Sequence, residues 1–353
     1  MKAAVLIEPN RIELVDEQIP SCPSDGVLVK ILACGVCGSD LRTFQGGSGG
    51  VAFPFRQGHE ITAEVVESNY EAYPVGTRLM CTLLITCGEC WYCRNGMQNL
   101  CDRKEKYGRE VVENGPGGFA QYAAYSRTVL EKGCFGIIPP DYDPVAASLA
   151  ETASSVLNSH INAGVSMDDL VVVIGSGAIG CLHAEIARLN GAKEVMVVEM
   201  SREKASLAVK QGFPDIYNYA SGDDELRRIV LRKTGGRGAD TVICACPSGQ
   251  AQEDALHLAR KRGKVIFFGG VGKSSMVVLD TNLIHYKEIL IYGASAYTPD
   301  VTRKALDLIA SGRIDASRYI THRYALENLQ QAFDDMKAGK TIKAVAIPWE
   351  VLK

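Results

Sequence analysis

Hydrophobic positions along this chain follow two different rhythms. Over residues 1–80 short β-rich runs, Ala3–Ile7, Ile12–Val15, Val27–Leu32 and Ile61–Val66, are punctuated by Pro and Gly. That pattern predicts a small, strongly bent β domain. From 165 to about 295 apolar runs alternate with amphipathic ones. Strands are expected at 170–175, 194–199, 215–218, 241–246, 264–270 and 288–293, and helices at 202–211, 223–234 and 250–260. Such alternation predicts a parallel, doubly wound sheet. Between the two regions lie a strand pattern after Gly117 and helical spacing from Ala146 to about Ala163. The tail carries helical patterns at 301–312 and 325–338 and a closing strand, Ala344–Pro348, and is expected to return to the first domain. The glycine-rich stretch Gly46–Gly50 reads as a mobile loop, not a linker.

The second rhythm contains the most informative stretch. Val171–Ile174 are four consecutive β-branched residues, the mark of a buried strand, and Gly175-Ser-Gly177-Ala178-Ile179-Gly180 follows directly. A helix is expected from Ala178 to Leu189, closed by Asn190-Gly191. A second strand then delivers Glu199 about 20 residues past the last glycine, as a dinucleotide-binding unit requires. Gly175 makes the tight turn, Gly177 lets backbone approach a pyrophosphate, and Gly180 lets helix pack on strand. The helix N-terminus offers free N–H groups and a positive dipole to the phosphates. Glu199 suits the two ribose hydroxyls of NAD and would repel a 2′-phosphate. Arg202 is the one feature that argues for NADP.

Composition narrows the class. The chain has 353 residues, 46% hydrophobic and 22% charged, which is ordinary for a globular protein of two domains. A net charge of −3 without basic runs argues against nucleic acid as partner. The first apolar run breaks at Glu8, so no secretory leader is expected, and there is no 18-residue apolar run to span a membrane. Twelve cysteines without an export signal point to metal or catalysis instead of disulfides, and to a cytoplasmic location.

The cysteines fall in two groups. Cys87, Cys90, Cys93 and Cys101, at two-, two- and seven-residue spacings, suit a closed tetrahedral structural zinc site. Cys34-Gly-Val-Cys37-Gly-Ser39-Asp40 and Gly58-His59-Glu60 supply thiol, imidazole and carboxylate from separate segments, a plausible second zinc set. Cys34 and Cys37 also spell C-x-x-C, so a redox pair or plain core cysteines stay open. Glu151 sits in an apolar helical stretch, where a buried carboxylate needs a partner such as a metal, unless it faces the surface.

Taken in order, Cys37-Gly-Ser-Asp40, Gly58-His-Glu60, the four-cysteine loop, Gly175–Gly180 and Gly238-Ala-Asp-Thr-Val242 resemble the zinc-dependent medium-chain alcohol dehydrogenase family over nearly the whole chain. The resemblance implies an α/β protein: a GroES-like bent β catalytic domain, here 1–150, a Rossmann NAD-binding domain with a doubly wound parallel sheet, 151–297, and a return of 298–353 to the catalytic domain. It implies Cys37 and His59 as catalytic zinc ligands, with Glu60 as ligand or near-ligand. Glu151 stands where liver-type members have a cysteine ligand, and a Glu there is similar to the sorbitol, threonine and sugar dehydrogenase branch. Asp40 resembles the carboxylate that orients His59, and Ser39 the hydroxyl that holds the substrate oxygen. A homodimer or homotetramer is also implied.

Two positions depart from the family pattern. Thr152 replaces the Pro usual after the Glu151 position in the polyol branch. Arg42 stands where many members have a proton-relaying His, and an arginine cannot be deprotonated in a protein. Arg42 therefore reads as a contact to pyrophosphate, to the surface or, with Arg56, to a substrate phosphate. The implied activity is hydride transfer between the secondary alcohol of a polyol or sugar derivative and NAD, with zinc as Lewis acid and Ser39 taking the alcohol proton. Threonine-type or simple-alcohol oxidation are the alternatives within enzymes. A catalytically silent NAD-binding or structural relative is the alternative outside them, and the intact set Cys37, Ser39, His59 and Glu60 argues against it.

Overall fold

The computed structural model describes residues 1–47, 52–104, 117–214, 216–219, 224–272 and 275–349. Part of the glycine-rich stretch, residues 48–50, lies outside them, as do Asp215 and Asp223 at the ends of an expected strand and helix. The chain divides into two units, Met1–Ser154 with Tyr297–Lys353, and Ser155–Ala296.

The first unit begins with a hairpin, β1 (Lys2–Glu8) and β2 (Arg11–Asp16), turned at Asn10 in the left-handed region (φ 65°). There follow β3 (Val27–Val36), β4 (Glu60–Ser68), β5 (Arg78–Ile85), β6 (Tyr122–Tyr125) and β7 (Gly133–Ile137). In the second unit come β8 (Leu170–Ile174), β9 (Glu194–Glu199), β10 (Ile216–Asn218), β11 (Ala239–Cys244), β12 (Ala259–Phe267) and β13 (Leu290–Gly293). The tail adds β14 (Ile320–Ala325) and β15 (Lys343–Ile347) to the first unit.

The first unit's main sheet runs β14-β15-β3-β4-β5-β7, with β6 also on β3. β3 is its hub: antiparallel to β4 over most of its length, it meets β6 near Val27–Lys30 and β15 near Cys34–Val36. Register shifts within β3 and β4 bend the sheet. The helix Gly38–Phe44 starts where β3 ends and closes on the core through Phe44, which stacks on Phe333 of the helix Leu329–Lys337 at 4.8 Å between ring centroids. Burial of that ring sets where the rest of this short helix points.

The second unit is a six-stranded parallel sheet in the order β10-β9-β8-β11-β12-β13. Its central strands β8, β9 and β11 are buried on both faces, whereas the edge strand β13 is largely exposed. Val171, Val173, Ile243 and Ile266 pack to one side, and Val172, Val242 and Val265 to the other. Strand order reverses between β8 and β11, the switch point where ligands of such sheets bind. The helix Thr281–Lys287 and strands β5, β7 and β14 lie where the sequence reading named no element. The expected helix Ala146–Ala163 is two helices, Pro144–Ala147 and Leu149–Ala163.

Candidate metal centre and cofactor turn

The end of β3 hands the chain to Cys37, which is the N-cap of the helix Gly38–Phe44. Its backbone N–H donates to Asp40 Oδ2 at 3.0 Å, so this one helical turn fixes thiol and carboxylate together. Asp40 Oδ1 lies 3.4 Å from His59 Nδ1, an arrangement that orients the imidazole. Next in the chain, Glu60 opens β4 and is fully buried. Its carboxylate needs room over β3: a Cβ on Gly35 would lie 1.8 Å from Glu60 Oε2. Cys37, His59 and Glu60 each bring a ligand atom to within 4.8 Å of the others.

The donor set fits a zinc ion. Burial alone would lower the His59 pKa, but the Asp40 carboxylate and the Cys37 thiolate outweigh it and hold the imidazole well above its ordinary value. Negative groups thus converge on a position a cation would occupy. Glu60 Oε2 is buried without a hydrogen-bond partner, a vacancy a nearby cation would fill. Its Oε1 is committed elsewhere. It accepts from Thr152 Oγ1 at 2.9 Å and from Lys343 Nζ, which in turn lies 3.0 Å from Thr152 Oγ1. Thr152, a departure from the family pattern, is thereby tied to both Glu60 and Lys343. Lys343 of β15 carried no sequence signal and is 3% exposed.

Glu151 is buried, and burial above all raises its pKa, with His59 and Glu60 close enough to act on it. Its Oε1 accepts from Tyr297 Oη at 2.7 Å, and it is not among the three residues whose ligand atoms cluster. Cys34 stands apart as well. It is fully buried in β3, its thiol pKa raised well above normal chiefly by burial, its sulfur packed against Gly58 and Gly118. Of the open readings of C-x-x-C, Cys34 is a core cysteine and Cys37 a member of the cluster.

Ser39, Asp40, Arg42, Gln57, His59 and Leu83 line a pocket of about 210 Å³ beside the cluster. Arg56 lines it too, but its Nη1 is tied to Glu17 at 2.5 Å.

Cys87, Cys90, Cys93 and Cys101 also converge with all sulfurs within 4.8 Å. Backbone N–H groups are aimed at them: Glu89 and Cys90 donate to Cys87 Sγ at 3.4 and 3.3 Å, and Cys87 to Cys101 Sγ at 3.3 Å. Burial opposes a thiolate at Cys87, yet these donors bring its pKa down to about 6. Cys93, buried among the other three, is pushed up to about 12. Four thiols this close ionise together only around a cation, which fits structural zinc.

In the second unit Gly175 (φ 112°) follows the end of β8, and Gly177 caps the helix Ala178–Leu189. A Cβ on Gly180 would lie 1.8 Å from Gly175 O, so no other residue fits there, whereas nothing lies within 4 Å over Gly177. That open face above the helix N-terminus is where a pyrophosphate can approach. Ala178 and Ile179 form the first helical turn. Glu199 ends β9 beside the turn, accepting from Ser176 N at 2.9 Å and Ser201 N at 3.0 Å. Arg202 is exposed at the start of the helix Arg202–Lys210.

A bent β domain holding thiol, imidazole and carboxylate, with a doubly wound sheet holding a dinucleotide turn, defines a zinc-binding oxidoreductase that uses a nicotinamide cofactor. Residues 23–133 match the family model of the alcohol dehydrogenase GroES-like domain and residues 178–311 that of the zinc-binding dehydrogenases. The chain belongs to the zinc-dependent medium-chain alcohol dehydrogenase family, whose members act on small alcohols. It is 28% identical to a sorbitol dehydrogenase of Halalkalibacterium halodurans, over 99% of each chain. A D-arabitol-phosphate dehydrogenase of Enterococcus avium is 29% identical over 95% of this chain and 94% of its own. An L-threonine 3-dehydrogenase of Pyrococcus furiosus is 30% identical over 94% of each. Among solved structures, a zinc-binding dehydrogenase of Sinorhizobium meliloti bound to NADP has a TM-score of 0.85 at 27% identity, covering 98% of this chain and 99% of that one. Among the described residues no helix is long and apolar enough to cross a membrane.

Proposed function

We propose that this enzyme oxidises a secondary alcohol of a polyol or sugar derivative with NAD, and runs the reverse reduction. The observation that carries this reading is the cluster Cys37, His59 and Glu60 beside a pocket that Ser39 lines. Cys37, His59 and Glu60 would hold the catalytic zinc, with Glu151, on which His59 and Glu60 act electrostatically, as a further candidate ligand. When bound, the metal supplies Lewis acidity at the alcohol oxygen.

The chain's own groups do the rest. Asp40 keeps His59 in one orientation and tautomer. Lys343 and Thr152 hold one oxygen of Glu60 and leave the other without a hydrogen-bond partner among the described residues. Ser39 accepts the alcohol proton and passes it toward the cofactor ribose, and Arg42, which has no acceptor capacity, cannot carry it onward. The nicotinamide, when bound, would accept hydride from the carbinol carbon, so that alcohol and NAD give ketone, NADH and a proton. NAD is favoured over NADP by Glu199, whose carboxylate at the end of β9 suits ribose hydroxyls and repels a 2′-phosphate. The sorbitol and arabitol-phosphate relatives support a polyol, the threonine relatives an amino alcohol, and Glu151 is compatible with both. A homodimer or homotetramer is the expected assembly by family resemblance.

Metal analysis and NADH absorbance test this together. Two zinc ions per chain are expected, and Cys37→Ser or His59→Ala should remove one of them and abolish turnover while NAD binding survives. Substantial turnover in either variant sinks the assignment.

A further inference from the structure

Two polar side chains that line the pocket beside the cluster have no side-chain partner among the described residues. Asp40 is engaged by Cys37 N and His59, Gln57 Nε2 donates to Asp40 O at 2.9 Å, and Arg56 is paired with Glu17. Ser39 Oγ and the Arg42 guanidinium have no hydrogen-bond or ion-pair partner among the described residues. Three residues apart on the helix Gly38–Phe44, they share one face. Arg42 is exposed, with the chain turning back beside it: Gly47 N donates to Arg42 O at 2.9 Å, and a Cβ on Gly47 would lie 3.0 Å from Arg42 Cγ.

Resting on the alcohol dehydrogenase reading above, we propose that Arg42 recognises a phosphate on the substrate, so that the preferred alcohol is a polyol phosphate. A guanidinium presents a planar fork that meets two phosphate oxygens at once. One helical turn separates the residue that meets the reacting hydroxyl from the one that meets the anion, a rise of about 4.5 Å to which the arginine side chain adds its own reach. The ester therefore lies a few carbons from the oxidised carbon. Arg56, the other arginine near the cluster, is excluded because Glu17 already neutralises it. The cofactor pyrophosphate carries the same chemistry, and the experiment separates the two sources.

The test compares kcat/KM for sorbitol with sorbitol 6-phosphate, and for erythritol with erythritol 4-phosphate, in wild type, Arg42→Ala and Arg42→Lys, with KM for NAD measured alongside. Wild type is expected to prefer the esters. In Arg42→Ala the ester-to-polyol ratio should fall about 10- to 100-fold, as for loss of a hydrogen bond to a charged group. Arg42→Lys, which keeps the charge without the fork, should fall in between. An equal loss for ester and polyol overturns the inference, and so does a raised KM for NAD as the main effect, which would give Arg42 to the cofactor. Turnover of polyols with unchanged ratios overturns the inference alone. Turnover of no ester or polyol by wild type overturns the polyol dehydrogenase reading as well.

Discussion

Lys343→Met should be among the most damaging single substitutions outside the zinc ligands. Lys343 is 3% exposed and Glu60 is fully buried, so neither charge has water to solvate it. Burial would lower the lysine pKa, but Glu60 and then Cys37 outweigh it and keep the ammonium charged. Methionine fills nearly the same volume and removes only the charge and its donors. Glu60 Oε1 then keeps a single partner, Thr152, while Oε2 already has none. Removing one partner of a buried ion pair costs about 3–5 kcal/mol, because the other charge is left uncompensated. For a unit of this size roughly 2–4 °C accompany each kcal/mol, so the melting temperature should fall by roughly 6–20 °C. Calorimetry of the zinc-stripped protein measures it, because a zinc on Glu60 would itself compensate that carboxylate. The double variant Lys343→Met with Glu60→Gln should recover most of the loss, because replacing both charges by neutral groups removes the uncompensated one. A single variant that melts within a degree or two of wild type, or a double variant no more stable than the single, refutes the argument.

Cys90→Ser should lower thermal stability and release one zinc without touching the reacting groups, because structural zinc contributes folding energy directly; an unchanged melting temperature and zinc content count against that site. Glu199→Ser should move cofactor preference toward NADP, with Arg202 free to meet the added phosphate, as kcat/KM for the two cofactors will show; a wild type that already prefers NADP contradicts the role given to Glu199. Acid should loosen the second unit through His160 and His183, which are buried with His160 Nε2 3.0 Å from His183 Nδ1. Burial lowers the His160 pKa from 6.5 to about 4 and that of His183 well below its ordinary value. The unfolded chain therefore binds more protons, so stability is full above about pH 6.5 and is lost as pH falls from there toward 4. At about 1.4 kcal/mol per pH unit, His160 alone accounts for on the order of 3 kcal/mol. Urea midpoints between pH 7 and 4.5 should fall more steeply in wild type than in His183→Phe, and parallel slopes would rule this out.

Where the sequence spoke clearly, a local rule linked residue to geometry. Four β-branched residues, three glycines and an acid 19 residues past the last of them specify strand, turn, helix and strand with little help from the rest of the chain. Gly180 shows why: only a hydrogen fits against Gly175 O. The four-cysteine loop is legible for the same reason, since its ligands lie within 15 consecutive residues. Element edges were less visible. The strands β5, β7 and β14 take their place from neighbours in the sheet, and the helix Thr281–Lys287 is short and has no buried residue to set a period.

The sequence by itself determined the candidate donor types, the dinucleotide turn and the alternation that makes a parallel sheet, because each follows from local residue patterns. Only the tertiary structure decided how Glu60 is held. Its partners Thr152 and Lys343 stand 92 and 283 residues away, on a helix and on the last strand, and no local pattern marks either. The same holds for Tyr297 on Glu151 and for the choice between Arg42 and Arg56, which turns on Glu17 reaching one of them. A buried charge needs a partner, but which residue supplies it depends on how the chain returns to the sheet.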